Sequence, residues 1–116
     1  MRESLKLYTC KDDNMVLEQL QLANSFGRRF VGLMGKTLDD SEGLMIKPCN
    51  SIHCFFMKIP IDVLFLDDDL NVIHKIHGMK PWRISPVIKG AKSVIEASEG
   101  AFADIQQGDQ LYVSSG

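Results

Sequence analysis

The feature that most constrains this 116-residue sequence is the arrangement of its apolar residues in short runs, each ended by a cluster of turn-forming residues. Residues 4–10 and 15–23 flank Lys11-Asp12-Asp13-Asn14. Asp and Asn side chains there can bond their own backbone and close a turn, so the two runs read as a β-hairpin. Asp67-Asp68-Asp69-Leu70-Asn71 separates two β-branched runs in the same way. Further strands are expected at 44–47, 52–57, 62–66, 93–97 and 108–114, with Pro48 as a breaker. Runs recurring every 8 to 12 residues or so describe a mainly β fold with minor α. The candidates are a compact jelly-roll-like β-sandwich or a partly closed barrel, since parallel βαβ winding needs more helix.

Some segments do not alternate cleanly. In 15–23, Leu20 and Leu22 alternate with Gln19 and Gln21 as in a half-buried strand, yet Val16, Leu20 and Ala23 also fit helical steps. In the run starting at Val72, His74 and Ile76 share its parity while Ile73, Lys75 and His77 share the other, so neither face is wholly apolar. One or two short helices are expected. Ser25 can cap the first, where Phe26, Phe30, Leu33 and Met34 recur at three- and four-residue steps before Gly35. The second is a helical turn or short helix over Gly100–Gln107.

Composition sets the class. Apolar residues make up 45% and charged residues 24%, the balance of a globular chain, and the length suits a single domain over 1–116. The formal charge is −2, with no run of five basic residues, so neither nucleic acid nor a membrane surface is an expected partner. The longest apolar stretch, Ile59 to Leu66, is interrupted by Pro60 and Asp62 and is far shorter than the ~20 residues a membrane helix requires. The first residues lack the apolar core of a secretory signal, and Cys10, Cys49 and Cys54 form no paired framework; both features point to the cytoplasm, with thiols reduced. A monomer is expected.

The segment from Pro48 to Asp62 gathers thiols, an imidazole, an amine and a carboxylate. A zinc site from Cys49, His53 and Cys54 would lack a C-x-x-C pair and a fourth ligand, so no metal or cofactor is expected. Neighbouring strand residues point to opposite faces, which separates His53 from Cys54 and disfavours a thiol–imidazole pair. Asp62 and Glu96 are carboxylates inside apolar strands, where each needs a donor. They suit a structural ion pair or a backbone clamp better than a general acid–base pair. Trp82 stands beside Arg83 in Lys80-Pro81-Trp82-Arg83, a pairing that can stack on a sugar, base or peptide, or pin a loop to the core. His74 and His77 are expected to be exposed and unremarkable, and Asp67-Asp68-Asp69 to be a solvated turn rather than a calcium loop.

These residues favour recognition over turnover. The leading expectation is a non-catalytic binding or accessory domain for a small molecule or protein, with a surface built from His53, Phe56, Lys58, Asp62, Trp82 and Arg83. The alternatives are a small hydrolase or metal-assisted enzyme using His53 with Asp62 or Glu96, and a protein-assembly factor with an exposed apolar patch.

Several blocks together resemble a known family. They are Arg29-x-x-Gly32-Leu33-Met34, Gly43-Leu44-Met45-Ile46, Phe55-Phe56-Met57-Lys58, Pro60-Ile61-Asp62-Val63-Leu64-Phe65-Leu66-Asp67, Val94-Ile95-Glu96 and Gly108-Asp109. In this order they are similar to the family called domain of unknown function 192, across nearly the whole chain. The resemblance implies a mainly β sandwich or small barrel with a short helix near Arg29, and no established activity. Many such relatives carry an export signal, whereas this chain starts directly at the domain. Phe56 stands where tryptophan is usual, and the Lys58-Ile59-Pro60 link is shorter than in exported members. Ser51-Ile52-His53 and Lys80-Pro81-Trp82-Arg83 resemble features of cytoplasmic-type, Gram-positive bacterial relatives.

Overall fold

The computed structural model describes residues 5–23, 41–52 and 59–115. The helix expected from Ser25 to Gly35 and the strand expected over most of 52–57 fall outside the described residues. The described residues form seven strands: β1 (Leu5–Thr9), β2 (Met15–Ala23), β3 (Glu42–Ile46), β4 (Ile61–Leu66), β5 (Val72–Met79), β6 (Ser93–Ser98) and β7 (Leu111–Ser114). They form one sheet in the order β5-β4-β6-β3-β2-β1-β7. Every neighbouring pair is antiparallel except β2 with β3.

The two ends of that order meet. Asn71 bridges to Gln110, the Val72 N–H donates to the Asp109 carbonyl at 2.8 Å, and the Gly108 N–H donates to the Val72 carbonyl at 2.7 Å. The sheet therefore curls into a partly closed barrel, the second of the two architectures left open by the strand pattern. Where β5 and β7 diverge, residues 99–107 fill the seam. Lys75 Nζ donates to the Phe102 carbonyl at 2.6 Å and the Ile105 carbonyl at 2.9 Å, and Lys11 reaches Asp109 from the other side at 3.2 Å. Gly100–Gln107 is a series of turns rather than a short helix. Its N–H groups reach back three residues, Ala103 to Gly100 and Ile105 to Phe102, and its carbonyls are drawn towards the Lys75 ammonium instead of along a helix axis.

Alternation sorts the apolar residues onto two faces. Leu7, Leu20, Met45, Leu64, Ile95 and Leu111 point into the barrel, where Phe102 and Ile105 close the open side. Leu44, Val63, Phe65 and Val94 point outwards and are covered by Ile52, Ile88 and Ala91 from the connecting loops. Each fully buried Leu or Phe contributes about 1.5–3 kcal/mol relative to exposure. With both faces covered, all six residues of β4 and all six of β6 are buried.

The irregular alternation of β2 and β5 has a geometric origin. Leu5 pairs with Leu20 and Leu7 with Leu17, so β2 carries one residue more than β1 over that interval. The bulge turns Leu17 and Leu20, three apart, to the same interior, while Leu22, near the end of the strand, is half exposed. That is why helical spacing also fitted this strand. On β5 eight residues span six of β4, with irregularities between Val72 and His74 and between Ile76 and Met79. Val72 thus faces the barrel while His74 lies against the Phe65 ring on the outer face, with centroids 5.6 Å apart.

Acidic side chains hold the tight connections. Asp67 Oδ1 accepts from the N–H groups of Asp69 and Asn71, and Asp67 Oδ2 accepts from Asn71 Nδ2. The Asn71 side chain, then its backbone N–H, keep the Asp67 carboxyl below its ordinary value of 3.8. Asp109 is lowered by the Gln106 N–H and by Lys11, and Asp12 by the Thr9 hydroxyl and the Asn14 N–H.

Two outcomes follow for stability. Leu17→Ala should lower the unfolding free energy by about 2–5 kcal/mol and Leu22→Ala by less than about 0.5 kcal/mol in urea titrations. Because these carboxyls titrate lower in the folded chain than in the unfolded one, their contribution is present at neutral pH and is lost as pH falls below roughly 4 and through the folded values. In urea titrations run at successive pH values, Asp67→Asn should lower stability at pH 7 but flatten its decline in acid.

Candidate functional site

Asp62 sits second in β4, where the β4–β5 register changes. Ile61 pairs with Met79 and Val63 with Ile76, so His77 and Gly78 together oppose Asp62. Such a bulge leaves a backbone N–H without a ladder partner. Here Gly78 adopts φ 64, a left-handed conformation, and donates its N–H to Asp62 Oδ1 at 2.8 Å. Oδ2 accepts from the Gly100 N–H at 2.9 Å. His77 Nδ1 completes the set, 3.0 Å from Oδ1 and 3.3 Å from Oδ2. A fully buried carboxylate thereby ties the bulge of β5 to the turn after β6.

This is the backbone-clamp reading of Asp62, and it removes the residue from the expected ligand surface. Both of its oxygens are taken, and its side chain is fully buried. Glu96 is also buried, but on the other side of the sheet: it pairs with Val63 on the outer face, whereas Asp62 pairs with Ala97 on the barrel face. The two carboxylates cannot act on one substrate atom. His53, Phe56 and Lys58 lie outside the described residues, as does Cys54. The imidazole bound to Asp62 is His77, which the sequence reading had set aside as unremarkable.

His77 Nδ1 faces the Asp62 carboxylate, and Nε2 lies 3.9 Å from Glu99 Oε2. The imidazole is 63% exposed. The ring thus stands between a buried carboxylate and an exposed one. Among the described residues no three of His, Cys, Asp and Glu come together as a metal-binding group. A sequence signal for His77 did exist, because the glycine that follows it inside a strand marks a bulge.

Trp82 and Arg83 stand on the loop after β5, and both are exposed. Ile84 and Val87 accompany them at 66% and 70% exposure, with Trp82 at 60%. Ser85, between them, is buried and anchors the loop: its N–H donates to the Ile52 carbonyl at 2.8 Å, and its Oγ accepts from the Ile52 N–H at 2.9 Å. The Ile88 N–H donates to the Asn50 carbonyl at 2.8 Å, and the Ser51 hydroxyl donates to the Ser85 carbonyl at 3.1 Å. An open cleft of about 300 Å³ adjoins the loop, lined by Pro48, Cys49, Asn50, Ala91 and Lys92.

A partly closed barrel with an interior carboxylate clamp and an anchored, exposed aromatic loop defines a small β domain. Residues 8–113 match the family model DUF192, described as Uncharacterized ACR, and the chain belongs to that family. Curated relatives include a UPF0127 protein of Thermococcus sibiricus, 33% identical over 100 residues that make up 80% of this chain and 64% of that one. Another, from Pyrococcus horikoshii, is 35% identical over 99 residues, 80% of this chain and 85% of that one. The chain thus spans just under two thirds of the Thermococcus sibiricus protein's length.

Among solved structures, a protein of unknown function from Novosphingobium aromaticivorans superposes with a TM-score of 0.79 at 22% identity, covering 94% of this chain and 83% of its own. A Sinorhizobium meliloti protein, described as a candidate transcription regulator, gives 0.76 at 21% identity, covering 97% and 94%. At such identities the likeness concerns the fold alone. The family carries no established activity, as the resemblance implied. The expected tie to Gram-positive bacteria is not supported, since the curated relatives are archaeal.

Asp62→Asn should lower stability by about 1–3 kcal/mol, because one amide position becomes a donor aimed at a backbone N–H. His77→Ala should cost less than about 1 kcal/mol, its ring being largely in water. Urea unfolding of both variants checks the ranking, and equal losses would show that the histidine, not the backbone clamp, carries the stability.

Proposed function

We propose that this domain is a non-catalytic recognition module and that the loop 80–92 is its ligand face. One observation carries the reading: the only tryptophan of the chain is 60% exposed and held at φ 66 on an anchored loop. A bulky side chain in the left-handed region costs roughly 1–3 kcal/mol and persists only where the surroundings impose it. Exposure forfeits, in addition, the burial that an indole would gain in a core. Strain and exposure together are what a binding surface needs and a packing role does not.

The anchoring hydrogen bonds of Ser85 and Ile88 reduce the ordering cost at the moment of binding. Arg83 beside Trp82 adds a planar cation to the aromatic face, the combination enriched where binding energy concentrates. A hydrolase using Asp62 has less support, because both of its oxygens accept from the backbone N–H groups of Gly78 and Gly100. No helix of the described residues is long and apolar enough to cross a membrane. Cys10 is an exposed thiol and Cys49 donates its thiol hydrogen to the Ser51 carbonyl at 3.0 Å, a state that suits a reducing compartment such as the cytoplasm.

The test is a thermal-shift screen with sugars, nucleotides, peptides and divalent metals, repeated on two variants. Trp82→Ala should remove every shift seen with the parent while leaving its own midpoint within a few degrees. Trp82→Gly should raise the midpoint by relieving the backbone, and should also lose binding. Collapse of both variants, or retention of the ligand shift, would reassign Trp82 to packing.

A further inference from the structure

The charge around this loop narrows what it can bind. Between Lys80 and Lys92 there are four basic residues, Lys80, Arg83, Lys89 and Lys92, and no acidic one. All four are exposed. The whole chain is −2, so the remaining residues carry nine basic against fifteen acidic side chains, a formal −6. A locally cationic loop with three exposed apolar side chains therefore stands on an anionic body.

We infer that the loop 80–92 docks an acidic peptide segment of a partner protein, one that carries an apolar or aromatic anchor among its carboxylates. The inference rests on the loop being the ligand face. Trp82, Ile84 and Val87 supply the apolar contact, while Arg83 and the flanking lysines meet the carboxylates. The distribution of charge selects a peptide over a membrane or a nucleic acid. An extended polyanion places charge against the whole domain, so a −6 body is repelled as the loop is attracted. A short segment engages only the cations within a Debye length, about 8 Å at physiological salt. Runs of consecutive basic residues miss this pattern, because prolines and aliphatic residues separate the four cations.

The experiment uses the full chain and a blocked nonapeptide in which glutamates surround two leucines and a tryptophan, with a control in which every glutamate is glutamine. Fluorescence anisotropy at low salt should show the acidic peptide binding at least ten-fold more tightly than the control, with affinity falling as salt rises. Lys80→Gln, Arg83→Gln and Lys89→Gln should each weaken it by up to about five-fold. Trp82→Gly, folded by its thermal midpoint, should abolish it. Equal binding of both peptides would overturn the charge assignment and leave the loop as a ligand face. Sedimentation with phosphatidylglycerol vesicles in the absence of peptide binding would overturn it in favour of a membrane surface. Failure of both peptides, together with an empty thermal-shift screen, would remove the ligand-face reading as well. Unchanged peptide binding by Trp82→Gly would overturn the proposal outright.

Discussion

One buried carboxylate makes the irregular end of this barrel possible. A bulge in β5 and a glycine turn after β6 both leave backbone N–H groups outside the strand ladder, beside a fully buried carboxylate that needs donors. Asp62 accepts both, and His77 Nδ1 meets the carboxylate from the solvent side. An unpaired polar group in that position would be penalised by several kcal/mol. The bulge, the glycine turn and the acid are therefore one hydrogen-bonded unit.

A second irregularity lies at the other end of β5. Together the two bulges let eight residues span six of β4, and the one between Val72 and His74 changes the facing of the strand there. Val72 turns into the barrel, and His74 and Ile76 face the outer layer. Lys75 then reaches the carbonyls of the seam-filling turns, closing the gap that β5 and β7 leave between them. Beyond Met79 the chain leaves the sheet and enters the loop that carries Trp82. The outer layer and the loop share an anchor, because Ile52 packs on the sheet through its side chain and holds Ser85 through its backbone. The anchored loop is thus an extension of the core.

Much of the fold could be read from the amino-acid order. The hairpin around Asp12–Asn14, the turn at Asp67–Asn71 and the buried runs 61–66 and 93–98 are local signals, since turn chemistry and alternation act within a few residues. The clamp was half legible: a carboxylate inside an apolar strand demands donors, which left a structural ion pair or a backbone clamp for Asp62, beside its place on the expected ligand surface. Its imidazole partner was not, because His77 reaches Asp62 only once a bulge sets two residues opposite one.

By itself the sequence determined a mainly β domain, its turns, most of its interior and an electrostatically mixed Trp82 loop, all properties of neighbouring residues. Only the tertiary structure decided that the sheet curls upon itself, that Asp62 and Glu96 lie on opposite faces, and that Trp82 is offered to solvent. The physical reason is register. Pairing between distant strands, with its bulges, sets the face each side chain occupies, and no local pattern encodes which residue a strand will meet across the sheet.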